Sequence, residues 1–186
     1  MVLGRARAGN KYFTGTIDDV HLYTRALTPA EVGEMYTKGG NNQAVDYYLS
    51  QPRHSATKLC CYLSGDQTLT DTIRDINAVA HGGVTYQDGL FGKAFAFNGT
   101  DSFLEVMNPF SGSGMEGFTV SLWVKPTATT NFAAFNMGET LLSRGTYADS
   151  GVLVLGTSAT AYNSGVTIAA GNWYHYVATL DVASQS

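Results

Sequence analysis

The stretch Tyr12–Gly40, YFTGTIDDVHLYTRALTPAEVGEMYTKGG, constrains this chain most, because it writes a strand, a turn, a capped helix and a stop in close succession. Val20 and Leu22 alternate with Asp19, His21 and Tyr23, the period-two pattern of a half-buried β-strand with its polar face toward water. Thr28-Pro29-Ala30-Glu31 follows. Thr28 can cap free N–H groups, Pro29 suits the first helical position because its missing donor is not needed there, and Glu31 sits where a capping box closes. The spacing predicts a helix over Thr28–Tyr36 with Val32, Met35 and Tyr36 on one side, and Gly39-Gly40 supply the residues that tolerate a C-terminal reversal. A helix of about two or three turns persists only on a larger body.

Composition supplies that body. With 186 residues, 44% of them apolar and 12% aromatic, the chain can bury a full core and reads as one domain over 1–186, a common size for an all-β sandwich. Charged residues make up only 14% while there are 21 glycines and 11 tyrosines, which fits short strands and tight turns. A net charge of −4 offers no basic stripe, so nucleic acid is not the expected partner. No apolar run approaches the roughly 18 residues that span a bilayer, and MVLGRARAGN contains no hydrophobic region resembling a secretion signal. Cys60 and Cys61 are neighbours in an apolar strand and point to opposite faces, so both are read as small buried hydrophobes and not as a disulfide.

Val2-Leu3-Gly4 reads as the end of a strand and Arg5–Lys11 as a basic turn. Asn41–Ala56 loses periodicity and reads as a connector; extended at about 3.3 Å per residue it reaches on the order of 50 Å, enough to cross a sandwich. Strands return with KLCCYLSGD from Lys58. In GLFGKAFAFNGTDSFLEV, Gly89–Val106, Phe95 and Phe97 share a face, Asn98-Gly99 supplies a hairpin-type turn, and Leu104 and Val106 return. In MEGFTVSLWVKP, Met115–Pro126, Phe118, Val120, Leu122 and Val124 alternate with Thr119, Ser121, Trp123 and Lys125 until Pro126 ends the strand. Thr140–Arg144 and Gly151–Leu155 read as two short strands around a Tyr147 loop, and NWYHYVATLDV, Asn172–Val182, as one more.

These motifs carry a family resemblance. GTIDDVHLY followed by RALTPAEVGEMY resembles the closing segment of laminin-G-like and pentraxin-like jelly rolls, within the concanavalin A-like lectin/glucanase superfold. His81-Gly82-Gly83-Val84 resembles an early turn of that family, with Ala78 where a glycine is usual. Gly89–Val106 is the most specific match, and Met115–Pro126 and Asn172–Val182 resemble later strands. The resemblance implies an all-β, concanavalin A-like jelly-roll sandwich of two antiparallel sheets with one short helix. It also implies a swapped order: 1–40 corresponds to the family's C-terminal segment and 57–186 to its N-terminal and central segments, joined by the connector 41–56. The chain then reads either as circularly permuted or as a slice of a tandem array, incomplete by one hairpin. Gly15–Tyr23 is expected to pair inside the same sandwich, since otherwise long apolar strands would be left exposed. The edge beside Asn172–Val182 is expected to be covered by Ala44–Leu49 of the connector or by a second chain in a homodimer.

Chemistry is sparse. There is no Gly-x-Ser-x-Gly elbow, no phosphate-binding loop and no His-Glu-x-x-His, and the four histidines lack metal-ligand spacing. Glycosidases of the superfold place carboxylates on one strand face, whereas Asp18 and Asp19 point to opposite faces of a regular strand, which argues against an enzyme. The pair is read either as a solvated strand end or, with Asn98 and Asp101, as the ligands of a structural calcium. Trp123 and Trp173 can each stack on a sugar, but a strand tryptophan is more often core, so Tyr147, Tyr162 and Trp173, which lie nearest to predicted loops, form the candidate binding rim. The expected function is a non-catalytic recognition module, most of all for carbohydrate. The alternatives are a protein-binding or adhesion module of the same fold and a glycoside hydrolase. The resemblance implies an extracellular or cell-surface setting.

Overall fold

The computed structural model describes residues 1–6, 11–39, 58–71, 73, 76–107, 109, 117–129, 132–137, 144–149, 152–157 and 161–181. The chain begins with β1 (Val2–Leu3), β2 (Thr14–Tyr23) and α1 (Pro29–Gly39). It continues with β3 (Leu59–Leu63), β4 (Ala78–His81), β5 (Thr85–Asp88), β6 (Lys93–Asn98) and β7 (Phe103–Val106). β8 (Gly117–Pro126), β9 (Phe132–Met137), β10 (Arg144–Asp149), β11 (Val152–Thr157), β12 (Ala161–Thr167) and β13 (Tyr174–Asp181) complete it.

Two antiparallel sheets result. Among the described residues one has seven strands in the order β12-β11-β10-β9-β1-β7-β4; the other has six, β13-β8-β2-β6-β5, with β3 also paired to β2. The first strands of the chain lie at the centre of both sheets: β1 pairs with β7 and β9, and β2 with β3, β6 and β8. Gly15–Tyr23 thus pairs inside the same sandwich as the later strands.

The apolar alternation fills the space between the sheets. Leu3, Leu104, Val106 and Phe135 come from one sheet and Ile17, Val20, Leu22, Phe95, Phe118 and Leu122 from the other, all buried in one cluster. Phe13 bridges them, meeting Phe97 and Phe132 edge to face at 6.0 and 5.1 Å. Cys60 and Cys61 are thiols, not a disulfide, and are buried in this core.

The helix forms as its capping signal dictates. The Glu31 backbone N–H donates to Thr28 Oγ1 at 3.3 Å and the Thr28 N–H to Glu31 Oε2 at 2.8 Å, a reciprocal box. Arg25 clamps the same carboxylate, with Nη1 2.9 Å from Oε2. Arg25 holds Glu31 down at about 2. Met35, Leu27, Tyr23 and Leu59 bury together, with Val32 and Ile73 against them, so the helix lies on the outer face of the six-stranded sheet.

Two expectations are corrected. Asn98-Gly99 does not close a hairpin: β6 belongs to the six-stranded sheet and β7 to the seven-stranded one, so the turn carries the chain across the core. Asn98 Oδ1 accepts the N–H groups of Thr100, Asp101 and Ser102 at 2.9, 3.2 and 3.2 Å, an Asx-type reversal that needs no strand pairing. Inward alternation on both strands looks the same in sequence whether they share a sheet or face each other. Tyr147 and Tyr162 lie within strands β10 and β12 and not in loops, in keeping with the strand preference of tyrosine. The connector Asn41–Ala56, with its run Ala44–Leu49, lies outside the described residues.

Candidate functional site

The site grows from an irregularity in β2. Pairing to β8 runs Asp18↔Trp123 and then His21↔Ser121, so β2 spends one residue more than its partner, and Asp19 takes a φ of 54°. This is a β-bulge, which adds a residue and re-aims the side chains around it. Ile17, Val20 and Leu22 therefore all enter the core, while Asp18, Asp19 and His21 all face outward. The expectation that Asp18 and Asp19 point to opposite faces fails because the strand is not regular. Nor are they a solvated strand end: Asp18, Asp19 and His21 are 0%, 6% and 2% exposed.

Each carboxylate has a distinct setting. Asp18 Oδ2 accepts the backbone N–H of Leu90 at 2.8 Å and of Phe91 at 3.1 Å, pinning the β5–β6 loop to the sheet. Its Oδ1 is buried without a hydrogen-bond partner. Burial pushes Asp18 up to about 7, against the two N–H bonds and with a further push from the Asp19 charge. His21 Nδ1 lies 3.1 Å from the Asp19 carbonyl and 3.9 Å from its Oδ2, and the ring stacks on Tyr62 at 4.5 Å. Burial, with Asp19 beside it, holds the Tyr62 phenol above its usual range.

The outward side chains of β8 continue the surface. Ser121 Oγ lies 2.8 Å from His175 Nε2, and the His175 ring stacks on Trp123 with centroids 4.7 Å apart. Burial and the neighbouring His21 hold His175 down at about 4, so its imidazole is neutral at neutral pH. Tyr36 of α1 covers the same indole, stacked at 5.6 Å while itself 58% exposed, and Phe91 meets it edge on at 5.9 Å. Beyond Trp123 the row reaches Lys125, whose Nζ lies 6.0 Å from the Trp173 ring. The outer face of the six-stranded sheet thus carries a strip from half-buried Trp173, Lys125 and His175 to buried Trp123, with Asp18 beside it.

Of the residues singled out in the sequence, Trp173, Asp18 and Asp19 belong to this face. Tyr147 and Tyr162 sit in the other sheet, paired with Val154 and Leu155, and their side chains lie outside the described residues. Asn98 pairs with Thr14, four residues along β2 from Asp18, a displacement of about 13 Å at ordinary strand rise. The Asn98 amide instead donates to Asp101 Oδ1 at 2.7 Å and to the Gly82 carbonyl at 3.1 Å. The four oxygen donors therefore do not fit around one cation, and among the described residues no group of three or more His, Cys, Asp or Glu is placed to hold a metal. Sequence reasoning missed Tyr36 and His175 as site residues and set Trp123 aside as core. Their signal was the polar-side alternation of β8 and β13, which reads equally well as solvated sheet.

A laminin-G-type family model, described as the concanavalin A-like lectin/glucanases superfamily, matches residues 1–33 and 98–186, more than half of the chain. The chain belongs to this superfamily. The superfamily match covers β1, β2 and the start of α1, then everything from the Asn98 turn onward; β3 to β5 and nearly all of β6 fall between its two segments. At this level the protein is a lectin-like or binding module. No curated protein and no solved structure matches it.

Proposed function

We propose that the protein is a non-catalytic carbohydrate-binding module whose ligand lies on the outer face of the six-stranded sheet. The observation that carries this reading is the strip Trp173–Lys125–His175–Trp123, in which aromatic faces alternate with hydrogen-bonding groups on adjacent strands. A sugar presents the complementary pattern, an apolar ring face bordered by hydroxyls, and a binding site with few fixed polar groups among aromatic walls sets orientation as well as affinity. Oδ2 of Asp18 holds the β5–β6 loop, and Asp19 is buried beside His21 and Tyr62. A glycan array on the purified protein tests the reading. A defined set of bound glycans supports it, and a blank array rejects it.

The bulge that turns Asp18 and Asp19 to one face favours a second reading, glycoside hydrolysis, since that reaction needs two carboxylates on one face, and burial holds the Asp18 proton to about 7, as a general acid requires. Release of nitrophenol from aryl glycosides, abolished in Asp18→Asn, would favour it over the first.

A further inference from the structure

Asp18 and Trp123 are direct register partners on β2 and β8 and face the same side, so their Cβ atoms stand about 4.5–5.5 Å apart. Asp18 is 0% exposed and Trp123 is 7% exposed. Each keeps one polar atom buried and without a partner: Oδ1 of Asp18 and Nε1 of Trp123. Buried polar atoms are hydrogen-bonded in nearly all folded proteins, and here two orphans occur on one cross-strand pair. Their needs are complementary. The indole N–H only donates; Oδ1 accepts when the carboxyl is ionised and donates when it carries a proton, since Oδ2 is already taken by Leu90 and Phe91.

We propose that this pair is the subsite for a single ligand hydroxyl, which accepts from Nε1 of Trp123 and donates to or accepts from Oδ1 of Asp18. The inference rests on the carbohydrate reading and gives it its anchoring atoms. A hydroxyl satisfies both partners in either protonation state of Asp18. An ammonium has no lone pair for the indole N–H, and a carboxylate meets Oδ1 only when that atom bears a proton. The Tyr36 ring, stacked on Trp123 and largely in solvent, occupies the place where the ligand's ring face would lie, and moves aside with its exposed side chain.

The test uses both tryptophan indole N–H signals of ¹⁵N-labelled protein, assigned with Trp173→Phe. The probes are the methyl glycosides of glucose, galactose and mannose and their monodeoxy analogues. A bound glycoside is expected to move the Trp123 indole signal saturably downfield. Trp123→Phe keeps the ring and removes the N–H, and is expected to weaken that glycoside by roughly threefold to tenfold, the worth of one neutral hydrogen bond. One deoxy analogue should lose the same factor on the wild type and nothing further on Trp123→Phe. Should Trp123→Phe fail to fold, the indole shift and the deoxy series on the wild type still decide. A glycoside that binds while the Trp123 signal stays still and every deoxy analogue binds alike overturns the subsite and leaves the carbohydrate reading standing. Absence of binding by these probes and by every array glycan overturns both.

Discussion

Asp18 stands opposite Trp123 across β2 and β8, and from this pair the two sides of the site diverge: toward Asp19 and His21 along β2 and Tyr62 on neighbouring β3, and toward His175 on β13 and Trp173 just before it. A buried acid and a buried aromatic cluster on one face tie the stability of the fold to the chemistry of the site.

The pH dependence follows from two opposed groups. Asp18 keeps its proton to about 7 in the fold, whereas the unfolded chain gives it up near about 4, so its contribution is fully present below about 4 and falls as pH rises toward 7. The full window amounts to about 4 kcal/mol at most. His175 works the other way: its folded form stays neutral down to about 4 while the unfolded imidazole protonates near about 6.5, so its contribution is present above about 6.5 and lost as pH falls. The two slopes oppose each other in the wild type. Melting temperature should therefore rise between about pH 4 and 6.5 in Asp18→Asn and fall over the same range in His175→Gln. Parallel slopes in the two variants would show that neither group is perturbed as described.

Removing the helix cap should cost little and report much. Thr28→Ala deletes the Oγ1 acceptor of the capping box, a loss of about 1 kcal/mol that lowers the melting temperature by about 2–4 °C in a chain of this size. Calorimetry checks the size; no change at all would mean that Arg25 and Glu31 hold the helix start without it.

Two glycines should respond with opposite signs. Gly15 in β2 has φ of 140°, and a Cβ there would meet the Lys125 carbonyl oxygen at 2.2 Å, so Gly15→Ala is expected to destabilise by more than about 3 kcal/mol. Gly33 is an exposed helical residue with nothing within 4 Å of a built Cβ, and Gly33→Ala should stabilise by about 0.8–1 kcal/mol. Urea titrations of the two variants measure both.

Tyr36 shields an indole without supporting the core. Tyr36→Ala should keep the melting temperature within about 1 °C, as surface substitutions do, and increase acrylamide quenching of the protein's fluorescence. Unchanged quenching would show that the ring does not cover Trp123.

The features legible in the sequence were those written locally. Thr28, Pro29 and Glu31 announce the helix start within four residues, and the inward rows Phe118–Val124 and Phe95–Phe97 announce the sandwich. The bulge was not legible, because neither Asp18 nor Asp19 is a glycine or proline; aspartate tolerates a left-handed φ without advertising it. The pairing of His175 with Trp123 was hidden for another reason. It depends on the register of strands some fifty residues apart, which alternation alone leaves undetermined.

The central claim, that the ligand face is the outer side of the six-stranded sheet, is tested most directly by probing one glycan array in parallel with the wild type, Trp173→Ala and Tyr162→Ala. The account predicts glycan signals for the wild type that fall at least about tenfold in Trp173→Ala, as expected for truncating an aromatic anchor, and that persist in Tyr162→Ala on the other sheet. Signals that survive Trp173→Ala and vanish in Tyr162→Ala would place the ligand on the seven-stranded sheet and contradict it.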